Sequence, residues 1–465
     1  MTGLSGGAAA SASGYGGLPA GPRVVMFAFE TVLDRRIIQE AESLTAVGYE
    51  VRIATPAALW TVPPGGTAVA PSVDPNADWS DAAPPRVRVH RMMHGALRRL
   101  GRLGLDPAAL KGVARRLIGP VWYYHLPLFA EAIRTLQAEI YIGHDLPMLP
   151  VALAAASRHG GRVVYDAHEL WSEQEMPRAD RAYWARIESR HIARADAVFT
   201  VNTSIADILA ERHGIAAPRV LRNCDRRHPP CAAGGVLHAR LGLPPATPLA
   251  VFQGRLEPAG HLTVLLAAWR ELADLPHHLV LIGDGSQLAQ LEALAATQGL
   301  AGRVHLHPRV PQAALPQLTA GAAFGLIPYQ PTCLNTFYCS PNKLFEYIAA
   351  EVPVVATDLP EIRRIVQGFD VGAVGPTATA AELAALIRRF VDGPGLDDRL
   401  PARLAAAAEE LDWAREAREF VAVISELGAT GGATRTCGGG PSLAGSGRPN
   451  RNGATGGRVN GRFDE

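Results

Sequence analysis

The sequence predicts an α/β protein of two domains, each built on a parallel sheet with helices on its faces. Its 465 residues exceed what one compact core usually holds, and two domains of about 200 residues each are the natural expectation. Short apolar segments alternate with helical patterns, which is typical of parallel strands joined by crossover helices. An irregular stretch rich in Pro, Gly and His interrupts this alternation midway, and we take 226–248 as the linker between two domains.

The first half begins with a Gly-, Ala- and Ser-rich segment, 1–22, that is expected to be disordered. The N-terminal domain is assigned to 23–225. Its first predicted strand is followed by a helix over 34–47, and residues 61–85 are predicted as a surface loop. The predicted strands of this domain lie at 23–29, 50–54, 86–90, 139–143, 162–166 and 197–201.

The second half repeats the alternation, and the C-terminal domain is assigned to 249–400. A helix is predicted from about 261, after the first strand. One long helix over 401–427 is expected to pack back on the N-terminal domain, and 428–465 is expected to be disordered. The predicted strands lie at 249–253, 278–283, 304–307, 323–327 and 352–356.

The composition excludes several classes of function. A formal net charge of +1 gives no reason to expect nucleic-acid binding. The five cysteines form no CxxC pair and no Cys/His cluster with zinc spacing, so no metal site is expected. The first 22 residues lack the features of a signal peptide, and no uninterrupted apolar run reaches the roughly 18 residues of a membrane span. We therefore expect a cytoplasmic protein.

Glycines and an arginine follow two strands of the second half. Ligands of open α/β sheets bind beyond the carboxyl ends of strands. Gly254 permits a tight turn there, and the guanidinium of Arg255 could clamp a diphosphate, although a plain surface arginine is the alternative. Gly283 and Gly285 could let backbone amides approach a ligand, but an ordinary helix start explains them equally well. The spacing is not GxGxxG, so a dinucleotide site is not expected.

The segment NTFYCSPNKLFEY, which begins at Asn335, is the most informative. Ser340 is predicted as a helix N-cap and Pro341 as the first helical residue. Lys343 places a cation in the first turn, where the helix dipole disfavours it unless an anion binds there. The Glu346 carboxylate, one turn later on the same side, is suited to ribose hydroxyls, and a plain ion pair between Lys343 and Glu346 is the alternative.

Polar residues also follow two neighbouring strands of the first half. His144 and Asp145 come after one strand, and His168 and Glu169 come after the next, in the sequence YDAHE. Because the two strand ends face one crevice, a histidine there could bond a sugar or steady a reacting carbonyl. The alternative is that both histidines are satisfied structural residues.

Together these segments resemble GT-B glycosyltransferases of family 4, also called glycosyl transferases group 1, which have two facing Rossmann-like domains. The matching segments occur in the family's order and spacing, and the likeness runs from about Arg23 to the final helix. Asp34–Glu40 is similar to the opening helix of a sub-group that also carries PNKLFEY and YDAHE. The other matching segments are Gly254–Leu256, Ile282–Gly285, Ser340–Tyr347 and Val352–Ala356.

The resemblance implies a retaining transfer from a nucleotide diphosphate sugar, without a bound metal or other cofactor, and the chain has no DxD motif. Arg255 would hold the diphosphate, Glu346 the ribose, and His168 would lie near the reacting sugar. Backbone amides near Asn342 and Lys343 would hold the phosphate, and we hypothesise that the Lys343 ammonium supplies the charge of a basic residue that is usual in the family and missing here. In such enzymes the leaving phosphate assists acceptor attack on the same face, so catalysis rests on stabilising charge and on positioning. The remaining donor-site candidates are Gly254, Gly283, Gly285, Asn335, Pro341 and Asn342, and the acceptor-side candidates are His144, Asp145 and Glu169.

The chain departs from the family pattern at three places, which keeps alternatives open. Tyr338 stands where many members have a Glu, and Gly260 and His261 stand where a second basic residue is usual. Phe29-Glu30-Thr31 replaces the usual Gly-Gly loop. An active hexosyltransferase of cell-envelope or exopolysaccharide synthesis is expected; a catalytically inactive scaffold or regulator, or a sugar epimerase on the same fold, are the alternatives.

The segment 86–116 is basic and amphipathic. It contains nine Lys or Arg residues and one acid, with Met and Leu residues interleaved. Such stretches bind anionic membrane surfaces, which would place the protein peripherally on the inner face of the plasma membrane, where the acceptor could be a lipid-linked sugar. The acceptor is otherwise expected only to be a glycan, a lipid-linked sugar or a small molecule. A solvated helix face in an Arg-rich protein is the alternative.

Overall fold

The structure is a computed structural model that describes residues 21–29, 33–56, 59–62, 70–71, 125–227, 235–296, 299–393 and 396–430. The predicted strand at 86–90 and the basic segment 86–116 lie outside the described residues. So do nearly all of the two tails that were predicted to be disordered.

The first half forms one sheet in the order β4-β3-β2-β1-β5-β6-β7-β8. All neighbouring strands are parallel except at the β2–β3 and β3–β4 edges, which are antiparallel. The strands are β1 (Arg23–Phe27), β2 (Glu50–Ala54), β3 (Leu59–Thr61), β4 (Ala70–Pro71), β5 (Ile140–His144), β6 (Arg162–Ala167), β7 (Ala197–Thr200) and β8 (Arg219–Val220). The helices are α1 (Arg35–Ala46), α2 (His125–Leu128), α3 (Ala130–Thr135), α4 (Leu149–His159), α5 (Arg178–His191) and α6 (Thr203–His213).

The second half forms a fully parallel sheet in the order β11-β10-β9-β12-β13-β14. The strands are β9 (Leu249–Gln253), β10 (His278–Ile282), β11 (Val304–His307), β12 (Phe324–Ile327), β13 (Val354–Thr357) and β14 (Gly372–Gly375). The helices are α7 (Val236–Leu241), α8 (Leu262–Glu271), α9 (Leu288–Ala296), α10 (Leu315–Thr319), α11 (Leu334–Phe337), α12 (Asn342–Ala349), α13 (Pro360–Gly368), α14 (Ala380–Val391), α15 (Leu400–Glu410) and α16 (Trp413–Thr430).

The strands are apolar because both faces of each sheet are covered by helices. In β1, Val25 and Phe27 belong to one buried cluster and Val24 and Met26 to another on the opposite face. The second sheet likewise has a separate buried cluster on each face. The prediction of an α/β fold with two mainly parallel sheets is therefore confirmed.

Each sheet has one position where the strand order reverses, between β1 and β5 in the first and between β9 and β12 in the second. Crevices at such positions, beyond the carboxyl ends of the strands, are where α/β sheets bind ligands. Asp145 directly follows β5, and Tyr329 follows shortly after β12. These two positions locate the candidate site.

The predicted single helix over 401–427 is instead two helices, α15 and α16, and this part of the prediction is wrong. The Asp412 side chain accepts a hydrogen bond from Ala414 N at 2.7 Å, and Trp413 N donates to Asp225 O at 3.0 Å. Asp412 therefore caps a new helix. Leu404 of α15 packs in the second half, whereas Trp413 of α16 packs in the first, so the chain crosses between the halves at this break.

Several short elements were missed by the sequence interpretation. The segment predicted as an irregular linker contains α7, and β3 and β4 form a short antiparallel edge beside β2. Strands β8 and β14, each at the edge of its sheet, were also missed. Strand β13 begins at Val354 rather than at 352, since Pro353 has no N–H with which to join the ladder.

Candidate active site

A cavity of about 320 Å³ lies where the two halves meet. Both strand-order reversals open into it, because Asp145 and Tyr329 are part of its wall. The first half contributes Asp34, Asp145, His168, Glu169, Val201, Ile205 and Asn223, and the second contributes Tyr329, Asn335, Thr336, Cys339, Ser340, Pro341 and Asn342. Of the sequence-predicted site residues, six are therefore in the wall: Asp145, His168, Glu169, Asn335, Pro341 and Asn342.

The two predicted histidines do converge. His144 Nδ1 lies 3.3 Å from His168 Nε2, and both atoms approach Asp166 Oδ2, at 3.2 and 2.8 Å. His144 is only 2% exposed and is the last residue of β5. It is therefore a buried partner behind His168. The acceptor-side interpretation required His144 to line the cavity, and it does not.

Asp166 also binds Arg36 of α1. Arg36 Nη2 donates to Oδ1 at 2.5 Å and Nε donates to Oδ2 at 2.9 Å, and the Glu40 carboxylate accepts from the same Nε at 3.0 Å. Burial by itself would raise the pKa of Asp166, but the charges of Arg36 and His168 hold it well below its usual value. Burial, together with the Asp166 charge, raises the pKa of Glu40 well above its usual value.

These neighbours determine the charge of His168. Burial would lower the pKa of His168, but the carboxylates of Asp166 and Asp145 raise it to about 10. His168 Nδ1 lies 3.8 Å from Asp145 Oδ2, and His168 N donates to Asp145 Oδ1 at 3.2 Å. Burial lowers the pKa of His144. At neutral pH His168 is thus a fixed cation at the cavity wall, with a neutral His144 behind it.

The trio of His144, Asp166 and His168 has the donor types of a metal site, with one ligand atom from each within 4.8 Å of the others. However, Arg36 Nε already donates to Asp166 Oδ2, the oxygen that a metal would need. A guanidinium in contact with a ligand atom opposes a second cation there. The arrangement therefore fits a hydrogen-bonded charge cluster better than a metal centre.

The segment around Lys343 forms helix α12, with Pro341 rather than Ser340 as its N-cap. The Ser340 hydroxyl instead accepts from Asn202 Nδ2 at 2.9 Å, which ties this turn to the first half. Pro341 and Asn342 line the cavity, so the first turn of α12, whose amides lack partners within the helix, opens towards it. The predicted helix start is correct to within one residue.

Lys343 is 5% exposed and does not pair with Glu346, so the ion pair considered as an alternative is not formed. Its Nζ lies 3.9 Å from the centre of the Phe252 ring and donates to Tyr329 Oη at 2.9 Å. Among the described residues no carboxylate forms an ion pair with Lys343. Lys343 is itself not in the cavity wall, but its neighbours Pro341 and Asn342 are, and its charge is held against two aromatic rings.

Glu346 is bound by both halves. Oε1 accepts from Arg35 Nη1 at 3.0 Å, and Oε2 accepts from Gln253 Nε2 at 2.5 Å. The side chains of Glu346 and Arg35 are 12% and 11% exposed. The carboxylate predicted to hold a ribose is therefore engaged by an arginine that the sequence interpretation did not single out.

The glycines after β9 and β10 have a packing explanation. A Cβ at Gly283 would lie 1.8 Å from Gly254 O, and a Cβ at Gly285 would lie 2.4 Å from Leu256 O. The two loops therefore need glycine to pack together. Gly254 also lies beside Lys343, whose Nζ would be 3.4 Å from an added Cβ. Arg255 is 74% exposed, pairs with Glu257 at 2.8 Å and is not in the cavity wall.

Two sequence comparisons decide the family. Residues 33–224 match the family model described as "Glycosyl transferase 4-like domain", and residues 247–392 match "Glycosyl transferases group 1". The two matches cover one half of the structure each. The chain belongs to the group 1 glycosyltransferases and has the GT-B fold. It is a glycosyltransferase enzyme, as the sequence predicted.

Proteins with sequences similar to this glycosyltransferase include a glycosyltransferase and a mannosyltransferase. It is 25% identical to a D-inositol 3-phosphate glycosyltransferase of Streptomyces bingchenggensis, over 84% of this chain and 83% of that one. It is 31% identical to a phosphatidyl-myo-inositol mannosyltransferase of Mycobacterium leprae, but over only 20% and 27% of the two chains.

Solved structures share the fold at low sequence identity. Sucrose-phosphate synthase from Thermosynechococcus elongatus aligns with a TM-score of 0.63 at 16% identity, over 88% of this chain and all of that one. HepE of Anabaena, solved in complex with UDP-glucose, aligns with a TM-score of 0.60 at 15% identity, over 87% and 100% of the two chains. Among the described residues of the glycosyltransferase, no helix is both long and apolar enough to cross a membrane.

Some wall residues of the glycosyltransferase were not predicted as site residues. Asp34 accepts from Arg36 N at 2.8 Å as the N-cap of α1, and Asn223 Oδ1 accepts from Arg36 Nη1 at 3.0 Å. A capping Asp before a predicted helix was visible in the sequence. The roles of Asn223 and Tyr329 depend on tertiary placement that no local pattern signals.

Proposed function

We propose that this glycosyltransferase transfers a sugar from a nucleoside diphosphate sugar to an acceptor hydroxyl, with retention of anomeric configuration. One observation carries the proposal: the cavity at both strand-order reversals is closed on one side by the N-terminus of α12. Backbone amides and a positive dipole end suit an anion. HepE, which shares the fold, has been solved with UDP-glucose.

The donor diphosphate then lies against Asn342 and the Lys343 ammonium, and the ribose reaches Glu346. The sugar to be transferred is attached to the diphosphate and extends from α12 across the cavity towards His168. The acceptor oxygen forms a bond to the anomeric carbon while the bond from that carbon to the phosphate oxygen breaks on the same face. The acceptor proton passes to the leaving phosphate, so no protein base is consumed.

The His168 cation contributes a fixed positive charge at the cavity wall during this transfer. Asp166 holds its Nε2 at 2.8 Å, and its Nδ1 lies 3.8 Å from Oδ2 of Asp145, another residue of the cavity wall. We further propose that the reaction needs no bound metal, because Arg36 occupies the carboxylate of the metal-like trio. Undiminished transfer after exhaustive chelation is the expected result, whereas restoration by one added divalent ion would contradict this part.

The acceptor is proposed to be a glycan, a lipid-linked sugar or a small molecule, in cell-envelope or exopolysaccharide synthesis at the cytoplasmic face. This rests on the family resemblance and on the basic segment 86–116, which lies outside the described residues. Liposome binding by Arg98, Arg99 and Arg102 variants changed to Glu tests the membrane component. If none of these variants weakens binding, that component is wrong.

Calorimetric titration of UDP, GDP and ADP into the wild type and Glu346→Gln tests the donor site. One nucleotide should bind the wild type, and the variant should bind it at least about 10-fold more weakly, as expected for loss of hydrogen bonds to a charged group. Glu351→Gln is the matched control, because Glu351 follows the C-terminal end of α12, away from the proposed anion site, and forms an exposed ion pair with Arg227. Equal affinities for wild type and Glu346→Gln would contradict the proposal.

A further inference from the structure

The Glu169 carboxylate is fixed by residues of both halves of the molecule. Its Oε2 accepts from Gln174 Nε2 at 2.7 Å and from Asn335 Nδ2 at 2.8 Å. Asn335 Oδ1 in turn accepts from Leu170 N at 2.9 Å. Asn335, a residue of the second half, therefore makes two hydrogen bonds to the first half. These bonds fix the orientation of the Glu169 carboxylate before any ligand arrives.

The other oxygen of this carboxylate is left for a ligand. Glu169 lines the cavity, and no described residue forms a hydrogen bond to its Oε1. Burial raises the pKa of Glu169. A partly buried carboxylate oxygen that lines a cavity can accept hydrogen bonds from a ligand, and hydroxyl groups supply such donors without adding charge beside the His168 cation.

The opposite wall of the cavity has no acid of its own. The segment from Tyr329 to Asn342, which forms that wall, contains no Asp or Glu. Tyr338 does not take this role: its ring packs 4.8 Å from the Phe337 ring and against the apolar cluster of the first half. A carboxylate for this part of the cavity must therefore come from the first half of the molecule. Glu169 is the acid of that half that is hydrogen-bonded to Asn335 in the opposite wall.

The position of Glu169 fits the donor sugar. Asn335 precedes the first residue of α12 by seven positions, so Glu169 is tied to the same wall that holds the proposed diphosphate site. A sugar attached to that diphosphate enters the space between Asn335 and His168. Sugars present a ring of hydroxyls, and a site built to bond a given hydroxyl rejects analogues that lack it.

We propose that Glu169 Oε1 accepts hydrogen bonds from hydroxyls of the transferred sugar and thereby determines which donor sugar is used. The inference rests on the proposed function, since it assumes that a nucleotide sugar occupies this cavity. It deepens that function by assigning sugar recognition to the N-terminal half, in contact with the substrate.

Glu169→Gln keeps the side-chain shape while replacing one oxygen with a donor, and Glu169→Asp keeps the charge but withdraws it. Donor hydrolysis without acceptor, transfer with acceptor and nucleoside diphosphate affinity are measured for each full-length protein. Glu173→Gln is the matched control, because Glu173 is an acid of the same loop that pairs with Arg212 and is not in the cavity wall.

For Glu169→Gln we expect kcat/KM for the donor to fall by about 10- to 100-fold in both hydrolysis and transfer. Nucleoside diphosphate affinity should remain within about 2-fold of wild type, because the nucleotide alone does not reach Glu169. Across a series of deoxy-sugar donors, one deoxy donor should be poor for the wild type, while Glu169→Gln should no longer distinguish it from the parent donor.

Three outcomes would overturn the inference. Unchanged donor kinetics in both variants would remove Glu169 from the site. A change confined to the acceptor KM, with donor hydrolysis intact, would place Glu169 on the acceptor instead. Failure of the wild type to bind any nucleoside diphosphate would contradict the proposed function itself, and it is distinguished from the other two because it precedes any comparison of variants.

Discussion

Arg35 Nη1 lies 3.0 Å from Glu346 Oε1, so the first residue of α1 is bonded to the carboxylate that is proposed to hold the ribose. The same Nη1 lies 2.8 Å from Asp225 Oδ2. Gln253 occupies the other Glu346 oxygen. A ribose hydroxyl that donates to Glu346 must therefore share an oxygen with one of these partners or replace it, and donor binding is coupled to a contact between the two halves.

Replacing Arg35 tests this coupling. Arg35→Met removes the guanidinium shared by two largely buried carboxylates, which should lower the free energy of unfolding by about 3 kcal/mol. Nucleoside diphosphate should bind several-fold more tightly, because Glu346 Oε1 is no longer engaged. Urea unfolding and calorimetry measure the two effects.

Arg52→Met is the control for this experiment, since Arg52 pairs with Glu50 at the surface, with side chains 45% and 37% exposed. Its effect should stay below about 1 kcal/mol. Nucleotide affinity that is unchanged or weaker in Arg35→Met would contradict the competition between Arg35 and the ribose.

Lys343 offers a test of the anion site. Lys343→Met keeps an unbranched side chain that is one atom shorter, but removes the cation between Phe252 and Tyr329. Because no described carboxylate pairs with Lys343, the fold should lose little stability, whereas nucleoside diphosphate affinity should fall about 10-fold or more. Binding of the nucleoside diphosphate to Lys343→Met should also depend less on salt concentration than binding to the wild type.

Thermal unfolding and titrations at two salt concentrations separate these effects. Arg388→Met, which breaks an exposed pair with Asp274, controls for loss of a cation elsewhere. Near-normal donor turnover in Lys343→Met or Lys343→Ala would show that the ammonium is only an aromatic-packed structural group.

His168 predicts a specific pH dependence of stability. Its pKa is raised from 6.5 to about 10 in the folded protein, so its charge favours the folded state. That contribution is fully present below pH 6.5 and is lost as the pH rises towards and through 10. In His168→Gln, which carries no charge in this range, the contribution is absent throughout.

Urea unfolding of both proteins between pH 6.5 and 10 measures the difference. The gap in unfolding free energy between wild type and His168→Gln should narrow as the pH rises across this window. Because other groups titrate in both proteins, the comparison isolates His168. Parallel curves would mean that His168 is not charged in the folded protein at neutral pH.

Much of the fold follows from the sequence because the strands are apolar on both faces. Runs such as Leu249–Gln253 and Arg162–Ala167 differ from their predicted bounds by at most one residue. The short edge strands β4 and β14 were missed, since two to four residues at a sheet edge carry little pattern. The division of the last helix was signalled only by the capping residue Asp412.

The site was predictable where it follows from strand ends. His168 and Asp145 meet because β5 and β6 are neighbours whose carboxyl ends share an edge. The engagement of Glu346 by Arg35 was not predictable, because 311 residues separate them. The aromatic surroundings of Lys343, a residue of α12, likewise depend on Phe252 in β9. Long-range pairing of charges leaves no local sequence pattern.

Donor consumption by the purified protein tests the central claim most directly. A panel of UDP-, GDP- and ADP-sugars is incubated with wild type, Arg255→Ala and Glu346→Ala, and nucleotide release is followed over time. We expect the wild type to release nucleotide slowly from one donor, and Glu346→Ala to release none. If Arg255 holds the diphosphate, as the sequence predicts, Arg255→Ala also releases none. Release that persists in Glu346→Ala, or an absence of both turnover and nucleotide binding across the panel, would contradict a donor site at the N-terminus of α12.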